Sequence, residues 1–308
     1  MRLSWAGLCD QGRVREQQQD AIALPGAVDG AGPWLFLLAD GMGGAAGGRE
    51  ASRLAIEIAG RELSQAGGAP DCVRLTQALS RVNVGVHERA RSNPELVGMG
   101  TTLVAAWLGD GGAGLAWVGD SRCYLWRDSV MRQLSRDHSW VADQVALGLL
   151  EPDQAATHPM RHALSRALGP RDQVVVDCIH LDLEQGDLLL LCSDGLHGVV
   201  ADDEIKGHLA GGLTLDQTAA RLVEAANQAG GPDNISVVLV RVDEAGLQAP
   251  PPDQATRRRE VQPKARWRVW FWLVVTLLLG FLALGWWLDG DRSQSNPAIT
   301  EMAPTPAR

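Results

Sequence analysis

The sequence predicts an antiparallel α+β layered domain followed by one membrane-spanning helix. Short apolar runs of strand character recur between residues 34 and 242, several of them joined by turn signals too short for a parallel crossover. Helical patterns fall between groups of these runs instead of alternating with them, which argues against a βαβ repeat. Residues 269–288 carry no charged side chain at all.

In chain order, Leu3–Cys9 is an apolar run preceded by only one charge, Arg2, and followed at once by Asp10. It reads as a first strand rather than a signal peptide. Strand character then marks Trp34–Ala39, Thr102–Leu108, Gly114–Val118, Cys123–Trp126, Val174–Ile179, Leu188–Cys192 and Ile235–Val242. Residues 47–63 and 72–90 read as helices. A third helix starts at Thr214, whose spacing to Gln217 makes a capping box; Leu215, Ala219, Leu222, Val223 and Ala226 then form one apolar stripe.

Ala245–Pro263, rich in Pro and Gln and without apolar periodicity, reads as a linker. The span that follows, Val269–Leu288, is 20 residues long, and at a rise of about 1.5 Å per residue it would cross a hydrocarbon core of about 30 Å. Trp267, Trp270 and Trp272 mark one end and Trp286 and Trp287 the other, as interfacial aromatics do. Arg257, Arg258, Arg259, Lys264, Arg266 and Arg268 precede the span, while Asp289, Asp291 and Arg292 follow it. The positive-inside rule therefore expects a single-pass protein of the cytoplasmic (inner) membrane, its globular part in the cytoplasm. The expected organisation is a catalytic domain over 1–243, a linker and basic juxtamembrane segment over 244–268, the transmembrane helix over 269–288 and a short external tail over 289–308.

Charge is divided in the same way. Residues 1–256 carry a net charge of -13 and residues 257–308 carry +4. An acidic body argues against the basic face that nucleic acid needs, so no nucleic-acid partner is expected. The five cysteines form no C-x-x-C pair, which supports neither zinc nor a disulfide framework and suits a reducing compartment.

The chemistry concentrates in aspartates at the ends of expected strands. Asp40 closes an apolar run and precedes Gly41-Met42-Gly43-Gly44. Asp194 closes Leu188–Cys192 and precedes Gly195, Asp233 stands just ahead of Ile235–Val242, and Asp120 follows Gly114–Val118. A single Asp-Gly is ordinarily a turn. Repetition in one context points instead to carboxylates aimed at a common edge, where they would repel one another unless a cation lay between them. An all-oxygen set suits Mg²⁺ or Mn²⁺ rather than zinc. The glycines make neither a P-loop nor a dinucleotide fingerprint, and the histidines form no H-E-x-x-H pair.

These residues resemble the metal-dependent (type 2C, PPM) serine/threonine protein phosphatases in their bacterial form. The resemblance is carried in order by Asp10 to Asp20, Asp40-Gly41-Met42-Gly43-Gly44, Gly100-Thr101-Thr102, Gly119-Asp120-Ser121-Arg122, Leu134 to Ser139, His158-Pro159, Ser165 to Gly169, Gly186-Asp187, Cys192 to Leu196 and Asp233 to Ser236. It implies a central β-sandwich of two antiparallel sheets flanked by helices, in α-β-β-α layers, with residues of about 138–170 as a flap beside the site. It implies two Mn²⁺ or Mg²⁺ ions bridged by Asp40, with the Gly41 carbonyl on one ion and Asp194 and Asp233 on the other. Asp20 would act through water, Asp120 would help hold a third, weaker ion, and Arg15 would bind the substrate phosphate. The implied reaction is hydrolysis of phosphoserine and phosphothreonine by a metal-activated water, without a phosphoenzyme. The implied partners are phosphorylated proteins, among them a Ser/Thr kinase and its substrates.

Two departures bear on this. Gln18 and Gln19 stand before Asp20, and the amide at 19 supplies no charged ligand. Met42 stands where some eukaryotic relatives carry a His assigned as general acid, and a thioether donates no proton. His138 and His158 are the imidazoles weighed for that task, each read first as flap packing or capping. A membrane-tethered binding module without turnover is the rival expectation, resting on the two glutamines alone.

Overall fold

The computed structural model describes residues 1–25, 34–64, 69–110 and 112–245. The expected span, its basic flank and the tail lie outside the described residues, as does the linker apart from its first two positions. Among the described residues no helix is long and apolar enough to cross a membrane.

The chain forms β1 (Arg2–Asp10), β2 (Asp20–Ala23), β3 (Trp34–Met42), α1 (Gly44–Ser64), α2 (Cys72–Ser92), β4 (Gly100–Thr101), β5 (Leu103–Gly109), β6 (Gly112–Val118), β7 (Arg122–Arg127) and β8 (Val130–Gln133). It continues through α3 (Trp140–Ala146), α4 (Pro152–Thr157), β9 (Asp177–Leu181), β10 (Leu188–Cys192), α5 (Asp194–His197), α6 (Asp202–Leu209), α7 (Leu215–Gln228) and β11 (Ile235–Glu244). One sheet has the order β1-β11-β10-β7-β8; the other runs β2-β3-β5-β6-β9, with β4 paired to β3. Every pairing is antiparallel.

The strand runs are continuously apolar because both faces of each sheet are covered. Phe36, Leu38, Val104, Leu189, Leu191, Val238 and Val240 meet between the sheets. Their neighbours Leu37, Ala39, Leu103 and Ala105 turn outward onto α1 and α2. On the other side Leu190, Cys192, Val237 and Leu239 pack with Leu222 and Ala219 of α7. The period of two thus sorts residues between two cores instead of between core and water. This is the expected α-β-β-α layering.

Several expectations are corrected. The strand expected at Val174–Ile179 is β9, shifted to Asp177–Leu181; Val174 and Val176 are apolar because they pack against the α1–α2 core, not because they pair. The helix expected from 47 starts at Gly44. Cys72, at the start of α2, and Cys178, in β9, form a disulfide across 106 residues of sequence, a partnership that spacing could not reveal. Cys9, Cys123 and Cys192 are free thiols.

Candidate metal and phosphate site

The fold brings the strand-end aspartates to one edge of the sandwich. Asp20 in β2 pairs directly with Asp40 in β3, so the two side chains share a face. The Asp40 main chain is held on both sides: its N–H donates to Thr102 Oγ1 at 3.0 Å, and its carbonyl accepts from Thr102 N–H and from the Thr101 hydroxyl, each at 2.8 Å. Gly41 follows where α1 crosses closely; a Cβ there would lie 2.0 Å from the Gly48 carbonyl oxygen. Glycine is the residue that admits this approach.

Asp194 and Asp233 come from the neighbouring strands β10 and β11, the first just after its strand and the second just before. Their turns touch main chain to main chain, since a Cβ on Gly195 would lie 1.9 Å from the Asn234 carbonyl oxygen. Asp120 sits where the chain leaves β6 in one sheet for β7 in the other. Arg15, Asp40, Gly41, Asp120, Asp194 and Asp233 line a common pocket of about 920 Å³. Asp20 is buried behind it. Arg15 Nη2 donates to Asp233 Oδ2 at 2.6 Å, which places the guanidinium at the pocket.

Electrostatics show why this edge suits a cation. Burial, with repulsion from Asp194 and Asp233, pushes Asp20 up to about 7, although Ser236 and Ser193 hydrogen bonds act the other way. Burial and then the surrounding carboxylates hold Asp40 well above the usual range. Asp120 rises to about 8 for the same two reasons, Asp194 being its main repulsive neighbour. Asp20 Oδ1 and Asp194 Oδ1 are buried without a hydrogen-bond partner, an arrangement that costs free energy unless something else satisfies them. Divalent cations that take oxygen donors fit this set. Among the described residues no three His, Cys, Asp or Glu side chains form a ready ligand shell. The fit is therefore to an ion bound through one or two carboxylates and main-chain oxygen, with water completing its shell, as Mg²⁺ commonly is.

The glutamines before Asp20 serve the loop. Gln18 Oε1 accepts from Asp20 N–H at 3.0 Å, and Gln19 Nε2 donates to the Gly44 carbonyl at 2.8 Å. Asn234 ties the Arg15 loop to the β11 turn, accepting from Gln19 N–H and donating to the Gln11 and Gln17 carbonyls. Ser193 donates to Asp20 Oδ2 at 2.8 Å. Other residues of the resemblance are structural. Asp137 takes a bidentate pair with Arg122, and buried Asp187 takes one with Arg127. Cys192 is buried in β10 with its thiol pushed up by burial, as expected of a packing residue rather than a nucleophile.

Neither histidine weighed from the sequence reaches the carboxylates by any contact in the structure. His138 is buried; its Nδ1 accepts from Gly119 N–H at 3.1 Å, so Nε2 carries the hydrogen directed at Asp177 Oδ2, 3.2 Å away. His158 lies against the Trp140 ring, centroids 5.0 Å apart. The imidazole in the pocket is His162, with Nδ1 3.7 Å from Asp194 Oδ2. That contact raises the His162 pKa. Burial acts upward on Asp194, but His162, together with His197 and Asp40, holds it below the ordinary value. Sequence reasoning missed His162; its place in the expected flap, four residues after His158, was the only signal.

A two-sheet sandwich with strand-end aspartates around one pocket and an arginine at its wall defines a metal-dependent phosphatase architecture. Residues 12–239 match the protein phosphatase 2C family. The chain belongs to that family. It is 37% identical over 238 residues to the serine/threonine phosphatase stp of Listeria monocytogenes, covering 76% of this chain and 94% of the relative. It is 36% identical over 240 residues to the serine/threonine protein phosphatase PstP of Mycobacterium tuberculosis, covering 78% of this chain and 45% of that one. The crystal structure of PstP superposes with a TM-score of 0.72 at 35% identity, covering 79% of this chain and 99% of that chain. The PstP catalytic domain in complex with two manganese ions gives 0.68 at 34% identity, again over 79% and 99%.

Proposed function

We propose that this chain hydrolyses phosphoserine and phosphothreonine on proteins, and that it opposes a Ser/Thr kinase at a membrane. The observation that carries the reading is the convergence of Asp20, Asp40, Asp120, Asp194 and Asp233 on one edge, three of them with raised pKa values from burial and mutual repulsion. In this reading Asp40, the Gly41 carbonyl, Asp194 and Asp233 would hold two Mn²⁺ or Mg²⁺ ions between them. Asp20 would act behind them through water, and Asp120 would help to hold a third, weaker ion. When bound, the ions supply Lewis-acid activation of a water nucleophile and neutralise charge on the phosphoryl group. Arg15, in exchanging a carboxylate partner for phosphate oxygens, orients the phosphoryl group through paired N–H donors. Met42 contributes no proton.

The test is phosphate release from a phosphothreonine peptide by the full chain with Mn²⁺. Asp40→Asn is expected to lower the rate by about a hundredfold or more, the scale on which a preorganised electrostatic group matters. Turnover that survives the substitution would remove this site.

The membrane part of the reading is supported by the sequence: the uncharged residues 269–288, their tryptophan flanks and the cationic side chains ahead of them. It divides the chain into a phosphatase domain over 1–243, a linker and basic segment over 244–268, the span, and an external tail over 289–308, with substrates on the cytoplasmic face. Residues 264–292 fused to a soluble reporter are expected to carry it into a carbonate-resistant membrane fraction; a reporter released by carbonate would refute the anchor.

A further inference from the structure

Beside the catalytic pocket lies a second cleft of about 660 Å³. Asp120, Arg161, His162, Asp194 and Gly198 line both. The second cleft is therefore within reach of residues flanking a phosphorylated residue held in the first. One wall of the cleft comes from the flap, where α3 and α4 present Val141, Ala142, Val145, Ala146, Ala155 and Ala156. The room exists because four of these six are alanines, the smallest apolar side chain.

The charged groups of the cleft away from the carboxylate edge are paired with one another or with close neighbours. Arg122 takes its bidentate bond with Asp137, and Arg136 bonds Asp143 at 2.9 Å. Their charge is spent locally, so this wall is not built to attract an anion. What remains on the flap side is an alanine-rich, uncharged face, and covering it rewards an apolar group. Hydrolysis of a phosphate ester requires none of these alanines or valines.

We propose that this cleft is a side-chain subsite for phosphoprotein substrates, taking a large apolar residue close in sequence to the phosphorylated one. The proposal rests on the phosphatase reading above and adds a substrate preference to it. A small phosphate ester has no flanking residues to place in the cleft, so its hydrolysis is expected to be independent of it.

The test uses the full chain with Mn²⁺ and two kinds of substrate. One is p-nitrophenyl phosphate. The other is a set of alanine-rich phosphothreonine peptides in which a single Phe is moved through each flanking position. Phe at one position, or at two adjacent ones, is expected to raise kcat/KM by about tenfold, mainly through KM, the scale set by filling an apolar pocket. Ala146→Phe fills the cleft and is expected to abolish that gain while leaving p-nitrophenyl phosphate turnover unchanged. Ala155→Leu, a smaller intrusion from the other flap helix, is expected to act in the same direction. Hydrolysis of p-nitrophenyl phosphate with no Phe preference at any position overturns the subsite alone, as does a preference that survives both substitutions. Absence of p-nitrophenyl phosphate hydrolysis in the unsubstituted chain overturns the phosphatase reading on which it rests.

Discussion

His138 shows how a residue that looks catalytic can be spent on architecture. It sits in the Leu134–Ser139 segment of the family resemblance, yet both ring nitrogens are committed, one to Gly119 and one to Asp177. Burial lowers its pKa below the ordinary 6.5 even though Asp177 acts the other way. The folded chain thus keeps the ring neutral where the unfolded chain takes up a proton. As pH falls through about 6.5, the unfolded state binds more protons and stability is lost progressively down to and through the folded-state value. The raised Asp20, Asp40 and Asp120 act in the opposite sense on the total, so between pH 7.5 and 5 the Tm of the unsubstituted chain is expected to fall more steeply, or rise less, than that of His138→Gln. An unchanged slope would mean that the ring already titrates normally in the fold.

At the scale of elements, legibility followed burial. The strands buried on both faces were visible as apolar runs. The short β2 and β8 were not: β2 begins on Asp20, and β8 is an edge strand that leaves Val130 63% exposed. Local chemistry was legible where it is truly local. The Thr214–Gln217 capping box is formed as read, the Thr214 side chain accepting from Gln217 N–H at 3.2 Å and the Gln217 side chain accepting from Thr214 N–H at 3.1 Å. Thr214→Ala is expected to cost about 1 kcal/mol, or roughly 2–4 °C in Tm for a domain of this size, measurable by calorimetry on the full chain.

For the whole molecule, the sandwich gathers carboxylates that no single element would tolerate. Asp40 and Asp20 come from one sheet, Asp194 and Asp233 from the ends of two interior strands of the other, and Asp120 from the crossing between them. A cation that binds this native cluster and not the unfolded chain must stabilise the fold by mass action. Mn²⁺ at a hundred times its Kd is expected to contribute about 2.7 kcal/mol, raising Tm by roughly 5–10 °C, with EDTA reversing the shift. A Tm indifferent to both would count against these carboxylates as the metal site, independently of any activity.

The sequence by itself determined the aspartate–glycine turns, most of the strands, the α7 cap and the family, because each is carried by residues adjacent in the chain or by their order along it. It also carries, unaided, the expectation of a membrane span. The tertiary structure decided what depends on distant segments meeting. It put Asp20 opposite Asp40, set His162 of the flap against Asp194, spent His138 on a buried bond, joined Cys72 to Cys178 and opened an alanine-lined recess between the flap helices and the catalytic edge. Such contacts depend on how two sheets and their flanking helices close on one another. That closure is set by the summed burial of three cores, and no local pattern encodes which far segment will arrive.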